Sequence, residues 1–182
     1  NGGLPLLAPM SAIAGQLSFV VGSYHLLKPN NGMGTLIGDL DSRIVTVIGA
    51  GVAGREAITK ALDNHARVTV IDLSQEKLDS LREIYGNDNI EYIISNSNSV
   101  EDAISQSDLV IGAVYVVGKE APIVVSKKML AKMNQGSVMV DISIDQGGCF
   151  ESSKATDHDH PTFLEDGILH YCVTNMPGAV PL

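Results

Sequence analysis

The chain has 182 residues and 45% of them are hydrophobic, which suits one domain with a substantial core. A net charge of −9, with no run that gathers the 12 lysines and arginines into a patch, argues against nucleic acid and anionic membranes as partners. Trp is absent and aromatics are only 4%, so no stacking platform for single strands is expected either.

No apolar stretch reaches the ~20 residues of a bilayer span, and the amino end lacks the basic-then-apolar order of a secretory signal. Cys149 and Cys172 show no C-x-x-C spacing and are too few for a disulfide framework, which fits a soluble protein of a reducing cytoplasm. The chain starts at Asn1 and stops at Pro181-Leu182, so residues 1–182 read as one domain of a longer polypeptide.

Taken in order, Ile13, Leu17, Val20, Val21, Tyr24 and Leu27 recur at helical spacing and predict a long helix from Met10 to Leu27, with Pro9 as its start signal. The turn-rich segment Lys28 to Gly34 breaks it and leads to a first strand at Ile44 to Ile48. A helix over Ala53 to Leu62, a strand Arg67 to Asp72, a helix Gln75 to Tyr85 and a strand Ile90 to Ile94 follow. Beyond the polar loop Ser95 to Ser99 come a short helix Val100 to Gln106, an apolar strand Leu109 to Val114 and a helix Ser126 to Met133. The last elements are a strand Ser137 to Ile144, an irregular stretch Asp145 to Asp166 and a strand Ile168 to Val173. Strands and helices alternating at this spacing predict an α/β fold, a Rossmann-type doubly wound parallel sheet with helices on both faces, preceded by the long amino-terminal helix.

The junction of the first strand and its helix carries the chemistry. Gly49-Ala50-Gly51-Val52-Ala53-Gly54 has the form G-x-G-x-x-G, with an apolar β-rich run before it and an acid, Asp72, closing the next strand. A nucleotide pyrophosphate needs backbone N–H donors and the positive end of a helix, from a bend free of side chains. Gly49 permits the tight turn, Gly51 admits the phosphates to the main chain, and Gly54 lets the helix lie close to the strand. Gly49, Gly51, Val52, Ala53 and Gly54 are therefore the candidate cradle of a dinucleotide. Asp72 suits a ribose diol and would repel a 2′-phosphate, which favours NAD over NADP; Lys77 stands near enough to reach a hydroxyl or a phosphate. A glycine turn alone is weak evidence, and its strand, helix and acid make it specific.

In Val140-Asp141-Ile142-Ser143-Ile144-Asp145-Gln146-Gly147-Gly148, alternation would put Asp141, Ser143 and Asp145 on one side if the segment stays extended. Asp145 then lies past a strand's carboxyl end, the usual address of a ligand in such sheets. Both acids could equally cap turns or helix ends. Asn175-Met176-Pro177-Gly178 could reach the same region, though by composition it is a turn. His158-Asp159-His160 diverge and have no second ligand cluster, so no metal is expected. His25, His65 and His170 read as structural. Cys149 lacks any sequence pattern supplying a base and reads as a packed thiol rather than a nucleophile.

Five runs together resemble the NAD-binding domain of the alanine dehydrogenase family: Pro5-Leu6-Leu7-Ala8-Pro9-Met10-Ser11, the glycine turn from Ile48 to Gly54, Val140 to Phe150, Asp159-His160-Pro161-Thr162-Phe163, and Tyr171-Cys172-Val173-Thr174-Asn175-Met176-Pro177. The likeness covers nearly the whole chain. It implies reversible oxidative deamination of L-alanine to pyruvate and ammonia with hydride passing to NAD. It also implies that Ser11 contacts the pyrophosphate or a nearby ribose, that Asp72 and Lys77 hold the adenosine ribose, and that Ser95 borders the adenine. Val114 lies under the cofactor, with Asp145 and Asn175 near the nicotinamide and substrate. Asp145 is the candidate catalytic group, orienting or stabilising the amine-bearing intermediate.

The resemblance places the catalytic histidine and the lysine and arginine that grip the substrate carboxylate in a separate domain, so this chain alone should bind NAD without turnover. It implies a homo-oligomer, a hexamer in that family. Gly178 departs from the family's usual alanine. The related transhydrogenases typically lack the aspartate matching Asp145; a transhydrogenase subunit, a lysine-pathway dehydrogenase and a non-catalytic NAD sensor are the alternative readings.

Overall fold

The computed structural model describes residues 7–34 and 43–180. Pro5 and Leu6 of the first resemblance run, and the terminal Pro181-Leu182, lie outside the described residues.

Strands β1 (Ile44–Ile48), β2 (Arg67–Asp72), β3 (Ile90–Ile94), β4 (Leu109–Gly112), β5 (Val138–Asp141), β6 (Thr162–Glu165) and β7 (Ile168–Tyr171) form one sheet in the order β3-β2-β1-β4-β5-β7-β6. Every pairing is parallel except β6 with β7. Apolar β-branched residues fill β1 and β2, and Val45, Val47, Val68 and Val70 point to one face while Ile48 and Ile71 point to the other. Parallel strands covered on both faces need such continuous apolar runs.

Helices α1 (Leu7–His25), α2 (Val52–Asp63) and α3 (Gln75–Tyr85) bury Phe19, Ile58 and Leu78 on the first face. Helices α4 (Ser97–Ser105) and α5 (Lys127–Leu130) bury Ile104 and Leu130 on the second. The doubly wound architecture with its leading helix is thus present. Helix α1 lies against α2 at Gly15, where a Cβ would stand 2.1 Å from the carbonyl oxygen of Ala53, so only a glycine allows that approach.

Elements with strong periodicity, β2, α3 and β3, match their predicted limits. Others differ for local reasons. Helix α4 starts at Ser97 inside the segment read as a loop, because its polar residues form a capping box: Asn96 accepts from the N–H groups of Asn98 and Ser99, and Ser99 Oγ accepts from Asn96 N–H. Helix α5 is a single turn, not Ser126 to Met133. Strand β5 stops at Asp141 and a 3-10 turn, Ile142–Gln146, takes over, so the alternation that would align Asp141, Ser143 and Asp145 does not hold. Within the stretch read as irregular, β6 pairs with β7 through a hairpin at Asp166-Gly167, an Asp-Gly signal that the sequence carries.

Candidate functional site

Chain order reverses between β1 and β4, and ligands of open parallel sheets sit beyond the strand ends at such a point. A cleft of about 590 Å³ opens there, between the glycine turn after β1 and the segment Ala113 to Val117 after β4. A smaller lobe of about 290 Å³ adjoins it, and Ser11, Ala53, Ala113, Val114 and Tyr115 line both.

The glycine turn is shaped by contacts that leave no room for side chains. Gly49 has φ of 111°, and a Cβ on it would lie 2.4 Å from the Ala113 carbonyl oxygen. A Cβ on Gly54 would lie 1.8 Å from the Gly49 carbonyl oxygen, so Gly54 sits behind the turn and sets how closely α2 meets β1. Over Gly51, by contrast, a Cβ meets nothing within 4 Å among the described residues. Gly51 is also the N-cap of α2 and offers no side-chain cap, so the first-turn N–H groups, beginning with Val52 and Ala53, remain for a ligand. An open concavity, backbone donors and the positive end of a 12-residue helix fit a diphosphate.

Asp72, at the end of β2, reaches this turn. Its Oδ2 accepts from Ala50 N–H at 2.7 Å and its Oδ1 from Ser74 N–H at 2.9 Å. The carboxylate is only 11% exposed, while Lys77, 3.8 Å away on α3, is 55% exposed at the rim. An ion pair so placed contributes little energy of its own. Ser95 continues β3 beside Asp72, its N–H donating to the Asp72 carbonyl at 3.0 Å, and lines the same lobe.

The smaller lobe holds Asp145 and Asn175, which lie 30 residues apart in the chain. Asp145 Oδ1 accepts from Asn175 N–H at 3.0 Å, and Asn175 adopts a left-handed conformation (φ 50°) that asparagine tolerates. Val114 forms the wall between the lobes, its carbonyl accepting from Ser143 Oγ at 2.8 Å. A methyl on Gly178 would lie 2.9 Å from Asn175 Nδ2, so glycine there leaves the amide of Asn175 where it stands.

Asp141 is not in the site. It is fully buried and accepts from the N–H groups of Ser143 and Cys149, both at 2.9 Å, and from Ser153 Oγ at 2.5 Å. Burial pushes its carboxyl above the ordinary range, against the opposing pull of the Ser153 and Cys149 donors. Cys149 is buried against it, and burial with the neighbouring carboxylate drives the thiol well above its usual value, which disfavours the thiolate that nucleophilic attack needs. Gly147 and Gly148 are both left-handed and close a tight turn.

Sequence reasoning missed Gln146, which lines the smaller lobe and donates from Nε2 to the Val116 carbonyl at 3.2 Å. Its position next to Asp145 was the available signal. Of the segment Ala113 to Val117 only Val114 was singled out; Ala113, Tyr115, Val116 and Val117 line the cleft as well and carry no sequence signal of their own. His170 is buried and bonded to Ser152 and to the Ile168 carbonyl. His158 approaches only the Asn175 carbonyl, at 3.4 Å, and His160 stands 3.8 Å from Asp157. Among the described residues, no three His, Cys, Asp or Glu side chains are placed to hold a metal ion, and no helix is long and apolar enough to cross a membrane.

The sheet, its reversal point and the glycine turn together define a Rossmann-type domain. A family profile, alanine dehydrogenase/PNT, C-terminal domain, matches residues 18–182. Alanine dehydrogenase of Halomonas elongata is 48% identical over 99% of this chain, and that of Mycolicibacterium smegmatis 49% identical over 100%; each match covers 49% of the relative. A solved L-alanine dehydrogenase superposes with a TM-score of 0.94 at 43% identity, covering 98% of this chain and 50% of that one. A transhydrogenase from Sinorhizobium meliloti shares the fold, with a TM-score of 0.80 at 24% identity, covering 96% of this chain and 49% of that one. The chain belongs to the alanine dehydrogenase/PNT C-terminal domain family, and it spans about half the length of the curated relatives it matches.

Proposed function

We propose that this chain is the NAD-binding domain of an L-alanine dehydrogenase, which interconverts L-alanine with pyruvate and ammonia. The observation that carries the reading is the meeting of three parts at one cleft. Asp72 lies 2.7 Å from the backbone of the glycine turn, and Asp145 and Asn175 pair in the lobe next door.

On this reading the N–H groups of the turn and of Val52 and Ala53 hold the diphosphate, with Ser11 of α1 lining the same cleft. Asp72 accepts from the adenosine ribose hydroxyls, with Lys77 beside it and Ser95 bordering the adenine. Val114 supports the ring end of the cofactor. NAD, when bound, supplies the electron sink for the oxidation. Asp145 keeps Oδ1 on Asn175 N–H, and its Oδ2, without a partner among the described residues, is available to the amine-bearing carbon's substituents. The remaining catalytic groups and the grip on the substrate carboxylate come from another domain of the whole protein. A cytoplasmic homo-oligomer, hexameric as in the resembled family and serving amino-acid catabolism, completes the proposal; exposed Met10, Val20 and Tyr24 along α1 offer apolar surface for association.

Two measurements test it. Calorimetry of this chain with NAD should show saturable binding, and the full-length protein should form NADH from NAD only when L-alanine is added. No heat at millimolar NAD would sink the cofactor assignment, and NAD binding without alanine-dependent turnover in the full-length protein would sink the substrate.

A further inference from the structure

The turn that carries Asp145 is closed from beneath by one buried carboxylate. Asp141 Oδ1 accepts from Ser143 N–H at 2.9 Å, just before Asp145 in the chain. Asp141 Oδ2 accepts from Cys149 N–H at 2.9 Å and from Phe150 N–H at 3.4 Å, just after it. Ser153 Oγ donates to the same oxygen at 2.5 Å, and Cys149 Sγ lies 3.5 Å from Oδ1. A carboxylate at 0% exposure with no cation among its described partners is costly unless donors surround it, and here three backbone N–H groups, a hydroxyl and a thiol do so. An asparagine could cap Ser143, but its NH₂ would then confront the N–H groups of Cys149 and Phe150. The site therefore uses both oxygens as acceptors, which a carboxyl group supplies and an amide does not.

The clasp does more than close a loop. Ser143 Oγ donates to the Val114 carbonyl at 2.8 Å and Ala121 N–H to the Gln146 carbonyl at 2.8 Å, so the turn is tied to the segment after β4 on its other side. Asp145 projects from the crest of this doubly anchored turn and meets Asn175 N–H. We propose that Asp141 is a positioning residue: by gathering both ends of the 142–150 turn onto one carboxylate, it sets where Asp145 stands in the smaller lobe. The inference rests on the role given to Asp145 above.

The test uses the full-length protein with the variants Asp141→Asn, Ser153→Ala and Asp145→Asn, and Ile104→Ala as a core control that lines neither lobe. Asp141→Asn should lower kcat at least about tenfold, because ångström-scale misplacement of a reacting group costs that much or more, while the Kd for NAD stays within about twofold. Hydrogen exchange in a peptide spanning residues 172–178 should rise without any cofactor present, since Asn175 N–H loses its fixed acceptor. Ile104→Ala, measured where it remains folded, should leave kcat and that exchange unchanged.

If Asp141→Asn does not fold, Ser153→Ala carries the test with the same signature at about threefold, the effect expected for removing one of several donors to a charged group. Folded variants with wild-type kcat, or with exchange at 172–178 unchanged, would overturn the inference while a loss in Asp145→Asn left the functional reading standing. Full activity in Asp145→Asn would overturn that reading itself.

Discussion

Gly51 and Gly54 sit three residues apart in one turn and face opposite constraints, so alanine at each separates ligand binding from packing. At Gly54 the added methyl would lie 1.8 Å from the Gly49 carbonyl oxygen, and α2 must move off β1 by more than an ångström to admit it. Overpacking of this kind against rigid backbone costs about 3 kcal/mol, which for a domain of this size lowers Tm by roughly 6–12 °C. At Gly51 the methyl meets nothing within 4 Å among the described residues, and its φ of −78° with ψ of −167° is open to any residue. The weaker N-cap and the stiffer unfolded chain nearly cancel, so the change in stability stays within about 0.5 kcal/mol, or ~2 °C in Tm. The methyl does stand where the proposed reading brings a diphosphate. Losing one or two charge-assisted hydrogen bonds at about 1.5–3 kcal/mol in total raises the Kd for NAD roughly 10- to 100-fold. Thermal unfolding and titration calorimetry read the two quantities separately. Wild-type NAD affinity in Gly51→Ala would refute the placement of the diphosphate, and an unshifted Tm in Gly54→Ala would refute the packing argument.

Asp72→Ala removes the proposed ribose acceptor and the bond to Ala50 N–H together, so NAD affinity should fall about 10- to 100-fold while the preference over NADP shrinks; equal losses for the two nucleotides would show that Asp72 does not select. Hydrogen bonds from Lys154 and Lys127 hold the Glu165 carboxyl down at about 2 against an ordinary 4.5. Its stabilising effect is therefore complete above the ordinary value and lost as pH falls toward 2, so the Tm gap between the protein and Glu165→Gln should be present at neutral pH and close across that window. A gap independent of pH would count against the pairing. Asn96→Ala removes the capping box of α4 and should cost about 1 kcal/mol, or ~2–4 °C in Tm, with NAD affinity unchanged although Ser95 is adjacent; altered affinity would mean that the cap shapes the site.

Much of the site is legible as local pattern. The glycine turn, the strand before it and the acid closing β2 are contiguous signals, and each follows from backbone geometry that a few neighbouring residues impose. The third-strand and fifth-strand regions were less legible. The polar run Asn96 to Ser99 looks like a loop by composition and is a helix start by hydrogen bonding. The alternation from Val140 to Asp145 looks extended, yet Asp141 ends the strand by capping Ser143 and gathering donors from residues 149–153, none of which a period of two can register.

By itself the sequence determined the alternation of strands and helices, the bend without side chains and the identity of the acid beside it, because hydrophobic period and glycine sterics act within a few residues. Only the tertiary structure decided that Asp72 bonds to Ala50, 22 residues away, and that Asp145 pairs with Asn175 while Asp141 turns inward. Those pairings depend on strand order and on which loop ends meet at the sheet's carboxyl edge, and strand order is set by burying both sheet faces at once, a condition on the whole chain.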